Sequence, residues 1–201
     1  VSFRATQGGS ISAIGRYEVA PAGAEIRAGF ALAKTGDEWR IDRLPQGLVL
    51  AQPDVDRSYR SIAIYFFDPT FTTLVPDPRL IPVLGLGQAT TLVRALIAGP
   101  SPWLQPAVRT GFPDGVTLNI ESVPVDGGIA KVDLTANARN ADDSARRALS
   151  QQLVWTLRQL ADVSAVELSA GGLPLIVPGA VNPQPRDAWP DVDPGALPIG
   201  S

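Results

Sequence analysis

The sequence contains no cysteine, no histidine and no methionine. These absences remove disulfides, cysteine nucleophiles, the Ser-His-Asp triad and nearly all zinc sites from consideration. Carboxylate, lysine or tyrosine chemistry is what remains, and the only lysines are Lys34 and Lys131. No uninterrupted apolar run approaches the roughly 18 to 20 residues of a membrane span. The net charge is −3, which argues against a basic face able to neutralise several phosphates, and so against a nucleic-acid partner. With no initiator methionine, the chain is expected to be part of a longer gene product, which leaves room for a signal peptide upstream.

What is present suits a folded core. The 201 residues are 45% hydrophobic, enough for one generous domain or two small ones. Residues 1–45 read as β structure: VSFRAT, SISAIGRYEVA and AEIRAGFALAK are separated by Gly-Gly and Pro-Ala-Gly turn signals. In GFALAKTGDEWRID two alternating runs flank a four-residue turn, which predicts a hairpin with Phe30 and Leu32 facing Trp39 and Ile41. Trp39 is expected in the core of this first sheet. A short helix is expected over residues 53–60, with Pro53 in its first turn.

A second unit begins near Ser61. IAIYFF (62–67) reads as a buried strand. Residues 74–76 and 79–84 are shorter extended pieces whose prolines suit an edge. A helix over 88–98 carries one apolar stripe of Ala89, Leu92, Val93, Leu96 and Ile97, and Gly99-Pro100 stops it. Residues 116–123 and 129–135 flank Asp126-Gly127-Gly128 and predict a hairpin. Residues 140–144 (NADDS) cap a long helix ending near Asp162, with Leu149, Leu153, Leu157 and Leu160 on one side. Trp155 falls about 200° from Leu153, on the polar side. A strand over 163–169, a Gly171-Gly172 turn and a second extended run over 173–177 follow. The order strand, helix, hairpin, helix, strand predicts an α+β domain with two helices packed on a small sheet. The tail from 178 onward is rich in Pro, Asp and Gly. It reads as a linker by composition, yet is expected to be ordered against the body.

The second unit resembles the GerMN domain family. The resemblance runs through IAIYFFD (62–68), LVPDPR (74–79), LVRALIAGP (92–100), FPDGVTL (112–118), GIAKVDLT (128–135) and QQLVWTLRQLADVSAVEL (151–168). The segment AGFALAKTGDEWRIDRLPQGLVLAQPDVDRSYR (28–60) resembles the end of the N-terminal domain of the LpqB family of actinobacterial lipoproteins. The high Ala, Gly, Pro, Val and Arg content agrees with such a GC-rich source. The resemblance implies three parts: residues 1–60 as the end of the N-terminal domain, 61–177 as the GerMN domain, and 178–201 as a lead toward a β-propeller absent from this chain. It also implies an extracytoplasmic lipoprotein, held on the outer face of the cell membrane by a lipid anchor outside this chain. The implied partner is the extracellular domain of an MtrB-like sensor histidine kinase, in cell-envelope and division signalling. No catalytic residues and no cofactor come with the family, so a non-enzymatic module is expected.

Other chemistry is weaker in the sequence. Gly85-Leu86-Gly87 before a helix lacks the Gly-Lys-Ser/Thr ending of a P-loop and the third Gly of a dinucleotide fingerprint, so a tight turn is the simpler account. Asp133 with Asp142-Asp143 could form a carboxylate pair for glycan cleavage, but helix capping explains the latter two. The candidate interface residues are Trp155, Trp103, Arg158 and Gln151. Trp155 is read as either covered by the tail or a neighbouring unit, or exposed for a partner, with cover favoured. Cell-wall glycan binding is the second partner class, with Trp103, Trp155 and Tyr65 as its only plausible aromatic platform. Side-by-side assembly is a third reading. Residues 101–110, around Trp103, are the one part of the second unit that the family pattern leaves without a reason.

Overall fold

The computed structural model describes residues 2–43, 47–83, 87–192 and 194. Leu44, Pro45 and Gln46, part of the 44–47 stretch expected to end the first sheet, the Gly85-Leu86 part of the turn before the first long helix, and residues 193 and 195–201 of the tail lie outside the described residues. The fold is α+β, as expected.

The first unit is built of small ladders rather than one sheet. Strand β1 (Ser2–Thr6) pairs antiparallel with β4 (Glu25–Gly29), while β2 (Gly9–Ile11) pairs with β3 (Tyr17–Val19). The predicted hairpin is present as β5 (Ala31–Thr35) and β6 (Glu38–Arg43), with Leu32 opposite Ile41 and Lys34 opposite Trp39. Trp39, however, is 67% exposed and is not a core residue. The reason is topological: β5 and β6 pair only with each other, and every residue of both strands is exposed. The short helix α1 spans Gln52–Ser58, with proline in its first turn as expected.

The second unit starts with a long hairpin. Strand β7 (Tyr59–Phe67) pairs with β8 (Leu74–Pro82) over nine residue pairs. Three prolines lie inside β8, at 76, 78 and 82, where interrupted pieces were expected. Parity explains their tolerance. Leu80, two residues from Pro78 and Pro82, turns its N–H away from β7 and donates it to the Gly15 carbonyl at 2.8 Å. The prolines share that parity, so the donor each lacks faces the outer edge and not the ladder.

Helix α2 (Gln88–Ile97) buries Ala89, Leu92, Val93, Ala95 and Leu96, essentially the predicted stripe. Gly99, at φ 82°, takes the left-handed conformation that stops it. The expected strand over 116–123 is not formed. Only Leu118 makes a bridge, to Leu134, and the ladder proper is β9 (Val125–Asp126) with β10 (Ile129–Leu134) across two positive-φ glycines. Val116 and Val123 are instead buried as loop residues packed into the core.

Helix α3 (Asp143–Leu157) begins on Asp142, whose Oδ1 accepts the Ala145 N–H at 2.8 Å. It stops at Leu157, short of the expected Asp162. Strand β11 (Ala165–Ala170) runs parallel to β10. Strands β12 (Leu173–Pro174) and β13 (Gln184–Pro185) both pair antiparallel with β11, giving a five-stranded sheet with β9 at the far edge.

Every residue of α3 from Ala148 to Leu157 is buried, polar ones included. The helix packs β7 on one side and β11 on the other, with α2 beside it. On the β7 side its polar side chains take the place of a neighbouring strand. Tyr65 donates its N–H to Thr156 Oγ1 at 3.2 Å, and Gln152 Nε2 donates to the Tyr65 carbonyl at 2.7 Å. Gln159, just past the helix, accepts from the Ala63 N–H and donates to the Ala63 carbonyl. The free edge of β7 is thereby satisfied.

Asp77 and Arg79, two residues apart on β8, share one face of the strand and are both fully buried, with Nη2 2.7 Å from Oδ2. Burial pushes the Arg79 pKa down and the Asp77 charge opposes it, so the guanidinium keeps its charge. Arg79 Nη2 also donates to the Gly99 carbonyl, while its Nε and Nη1 have no partner among the described residues. Replacing Asp77 with Ala strands this charge and is expected to cost about 3–5 kcal/mol. Urea denaturation of D77A measures the loss, and the double variant D77L/R79M is expected to recover most of it.

Candidate functional site

Trp103 is 70% exposed and lies in a turn directly after α2. The base of this loop is fixed by the buried ion pair. Ser101 donates its N–H to Asp77 Oδ2 at 2.7 Å and its hydroxyl to Asp77 Oδ1 at 2.8 Å. Leu104 and Gln105 donate back to the Ser101 carbonyl, and Leu104 and Val108 are buried. At the far end Arg109 exchanges two backbone hydrogen bonds with Phe67. The loop is therefore pinned to β8 at one end and β7 at the other, and it holds an indole ring in solvent between those pins.

Trp155 stands differently. It is 7% exposed, its Nε1 donates to the Trp189 carbonyl at 2.9 Å, and Tyr65 meets its ring edge-on at 5.8 Å. The Arg158 guanidinium stacks over the same ring at 4.0 Å. The cover is the tail. Asn182 pairs its carboxamide with both backbone groups of Leu168, β13 extends the sheet, and the Trp189 Nε1 donates to Gln184 Oε1 at 2.8 Å. Arg147 stacks on Trp189 and bonds Asp191 at 3.0 Å. Of the four candidate interface residues, only Trp103 thus presents itself fully to solvent. Trp155 and Arg158 are engaged by each other and the tail, because the tail occupies the side of α3 that the helical wheel assigns to water. The aromatic platform of Trp103, Trp155 and Tyr65 is not assembled: Trp155 is covered and Tyr65 packs against it.

Gln151 is buried on the same helix, one turn before Trp155, and borders a groove of about 840 Å³. The groove lies between the β7–β8 turn, residues 110–113, the first turns of α3 and the tail at Asp191 and Val192. Gly111 lies so close to α3 that an added Cβ would come within 2.5 Å of the Leu149 nitrogen. Phe71, on the groove wall, has φ 58° and is 45% exposed. This conformation is rare for a bulky residue. It is held by Asp68, which accepts from the Thr70 hydroxyl and from the N–H groups of Thr70, Thr72 and Thr73.

The carboxylates are tied down rather than poised. Partial burial opposes ionisation at Asp133, but hydrogen bonds from Asn119, Gly172 and Ser169 outweigh it and hold the carboxyl below its ordinary range. The Ser144 hydroxyl, then the Ala145 N–H, lower Asp142 in the same way. Neither is a protonated acid at neutral pH, which a glycan-cleaving general acid needs to be. Among the described residues no three acidic side chains converge as a metal site, and no helix is long and apolar enough to cross a membrane. Sequence reasoning missed Phe71, Phe112 and the Asp77–Arg79 anchor. Of these only the anchor left a signal, an acid and a base two residues apart in an apolar strand.

Comparison with known proteins adds the relatives. The family model described as sporulation and spore germination matches residues 63–176, and that of the lipoprotein LpqB N-terminal domain matches residues 1–56. The chain is 37% identical over 191 residues to a lipoprotein LpqB of Thermobifida fusca, covering 91% of this chain and 30% of that protein. It is 36% identical over 213 residues to a lipoprotein LpqB of Mycolicibacterium smegmatis, covering 98% of this chain and 35% of that one. The chain thus spans about a third of the length of these curated relatives. Among solved structures it is similar to the tandem GerMN domains of the sporulation protein GerM from Bacillus subtilis, at 22% identity and a TM-score of 0.45, over 64% of this chain and 44% of that one. The first GerMN domain of the same protein gives 21% identity and a TM-score of 0.45, over 63% and 92%.

Two outcomes follow from this geometry. Trp189→Ala is expected to cost about 3–5 kcal/mol and to open Trp155 to acrylamide, which fluorescence quenching detects; an unchanged quenching constant would show that the tail does not cover that ring. The Thr70 hydroxyl and then the Thr73 N–H hold the Asp68 pKa well below the usual carboxylate range. A depressed folded-state pKa means that the unfolded chain binds the proton first. The stability from Asp68 is therefore complete above its unfolded pKa of about 3.9 and is lost as pH falls toward the folded value. Asp68→Asn is expected to flatten the fall of the melting temperature between about pH 4 and pH 2.

Proposed function

The chain belongs to the GerMN family, in an LpqB-like arrangement with the LpqB N-terminal domain before it, and from that premise we propose that it is a non-enzymatic interaction module of an extracytoplasmic lipoprotein. Its partner is the extracellular domain of an MtrB-like sensor histidine kinase. A lipid anchor holds the protein to the outer face of the cell membrane. Residues 61–177 act as the binding body, 1–60 link it toward the anchor, and 178–201 lead toward a β-propeller.

The observation that carries this reading is Trp103. Tryptophan is enriched among the few residues that dominate binding energy, and this one is exposed on a loop pinned at both ends. A pinned loop loses little freedom on association, so more of the contact energy appears as affinity. Modulation needs only that the module bind one kinase state better than another. It requires no catalytic group, and the two carboxylates weighed for acid catalysis, Asp133 and Asp142, are both held in the ionised form.

Capture of the isolated kinase ectodomain by the full chain tests this. The native chain is expected to bind, and Trp103→Ala to weaken binding by roughly thirtyfold with the melting temperature unchanged. No binding by the native chain, or equal binding by W103A, would falsify the assignment.

A further inference from the structure

We propose that the groove at the N-terminal half of α3 is a second binding site, which takes a neutral, extended peptide segment of another protein. Trp103 is not among the residues that line it. The inference therefore goes beyond the kinase reading and does not rest on it.

The first ground is Gln151. It is 5% exposed, it lines the groove, and among the described residues its carboxamide has no hydrogen-bond partner. A primary amide presents a donor and an acceptor side by side, which is the complement of a peptide group. This chain uses that match three times. Gln159 takes the N–H and carbonyl of Ala63, and Asn182 takes the N–H and carbonyl of Leu168. Gln152, the neighbour of Gln151, accepts from the Gly111 N–H and donates to the Tyr65 carbonyl. Gln151 is a fourth such amide, and it lines the groove without a peptide of its own. Its amide atoms are not among the fully buried unpaired polar atoms of the described residues, so they keep contact with solvent in the groove and can exchange it for a ligand.

The second ground is charge. Arg147, the cation on the groove wall, is paired with Asp191 and stacked on Trp189, and the Asp142 carboxylate caps α3 by accepting from the Ala145 N–H and the Ser144 hydroxyl. An anionic ligand would find no free counter-ion and a cationic one would compete with the cap of α3, whereas a neutral one disturbs neither. The third ground is the wall. Phe71, Phe112, Pro113, Ala145 and Ala148 offer apolar surface around the single amide. About 840 Å³ falls within the roughly 300–1,000 Å³ typical of ligand sites. A peptide unit seated on Gln151 would direct a neighbouring apolar side chain toward the Phe71 and Phe112 rings.

The test is a titration of the ¹⁵N-labelled full chain with a pool of N-acetylated, C-amidated hexapeptides of Ala, Val, Leu and Pro. The Gln151 side-chain amide and Gly111 signals are expected to shift and saturate. Gln151→Ala removes no internal bond, so its fold should stand, and peptide affinity should fall about threefold to tenfold. Phe71→Ala is expected to weaken binding independently. An N-acetylated chito-oligosaccharide is titrated in parallel. Shifts with the sugar alone, no shift with millimolar peptide, or Q151A binding as well as the native chain would each overturn the proposal. Ectodomain capture measured on Q151A separates the two readings: unchanged capture with lost peptide binding supports two sites, and lost capture would make the groove part of the kinase contact and overturn its independence.

Discussion

The fold turns on the hydrogen bonds that α3 extends to the free edge of β7. A strand edge carries unpaired N–H and carbonyl groups, and burying them without partners is costly. Here the partners are side chains: Thr156 and Gln152 at Tyr65, and Gln159 at Ala63. Because helix polar groups replace a third strand, the hairpin can lie directly on α3. The helix is then enclosed, with β7 on one side and β11 on the other. Ser150, Gln151, Gln152 and Thr156 are buried as a result, at positions a helical wheel reads as facing water.

That enclosure needs a seal, and the tail provides it with the same chemistry. Asn182 behaves as a strand residue toward Leu168, and Gln184 and Ser150 take the indole N–H of Trp189. The Trp189 carbonyl then satisfies Trp155. A proline-rich composition limits the described tail to a two-residue strand and one short 3-10 turn at Pro190–Val192, and carboxamide and indole groups let it dock piece by piece. A chain end of linker composition becomes part of the core through Trp189 and Val192.

The two binding surfaces draw on different constraints. The Trp103 loop is fixed by a buried ion pair, whose cost of desolvation is met by holding Gly99 and Ser101 in place. It offers a rigid, protruding ring. The groove is concave and nearly neutral, and its distinctive group is an amide without a partner. One surface suits a large protein contact and the other a single extended segment; they adjoin at Thr110, which follows the Arg109 pin of the loop and lines the groove.

Several features were legible along the chain. The apolar stripe of α2, its stop at Gly99, the Asp142 cap and the Gly127-Gly128 turn are local, since each depends on residues within one or two turns of itself. The order of elements and the family resemblance followed from the same local patterns. Trp39 was misplaced because a strand pattern does not say whether anything covers the strand. The strand expected over 116–123 failed because Val116 and Val123 found the core from a loop. Trp155, Gln151 and Asp77 show the general limit. Whether a polar or aromatic side chain is solvated, paired or left facing a groove depends on what arrives from 20 to 90 residues away, and periodicity carries no record of that. Sequence by itself determined most of the elements, their order and the family; tertiary structure alone decided which edges the helix side chains would satisfy, and so which groups stayed free to bind.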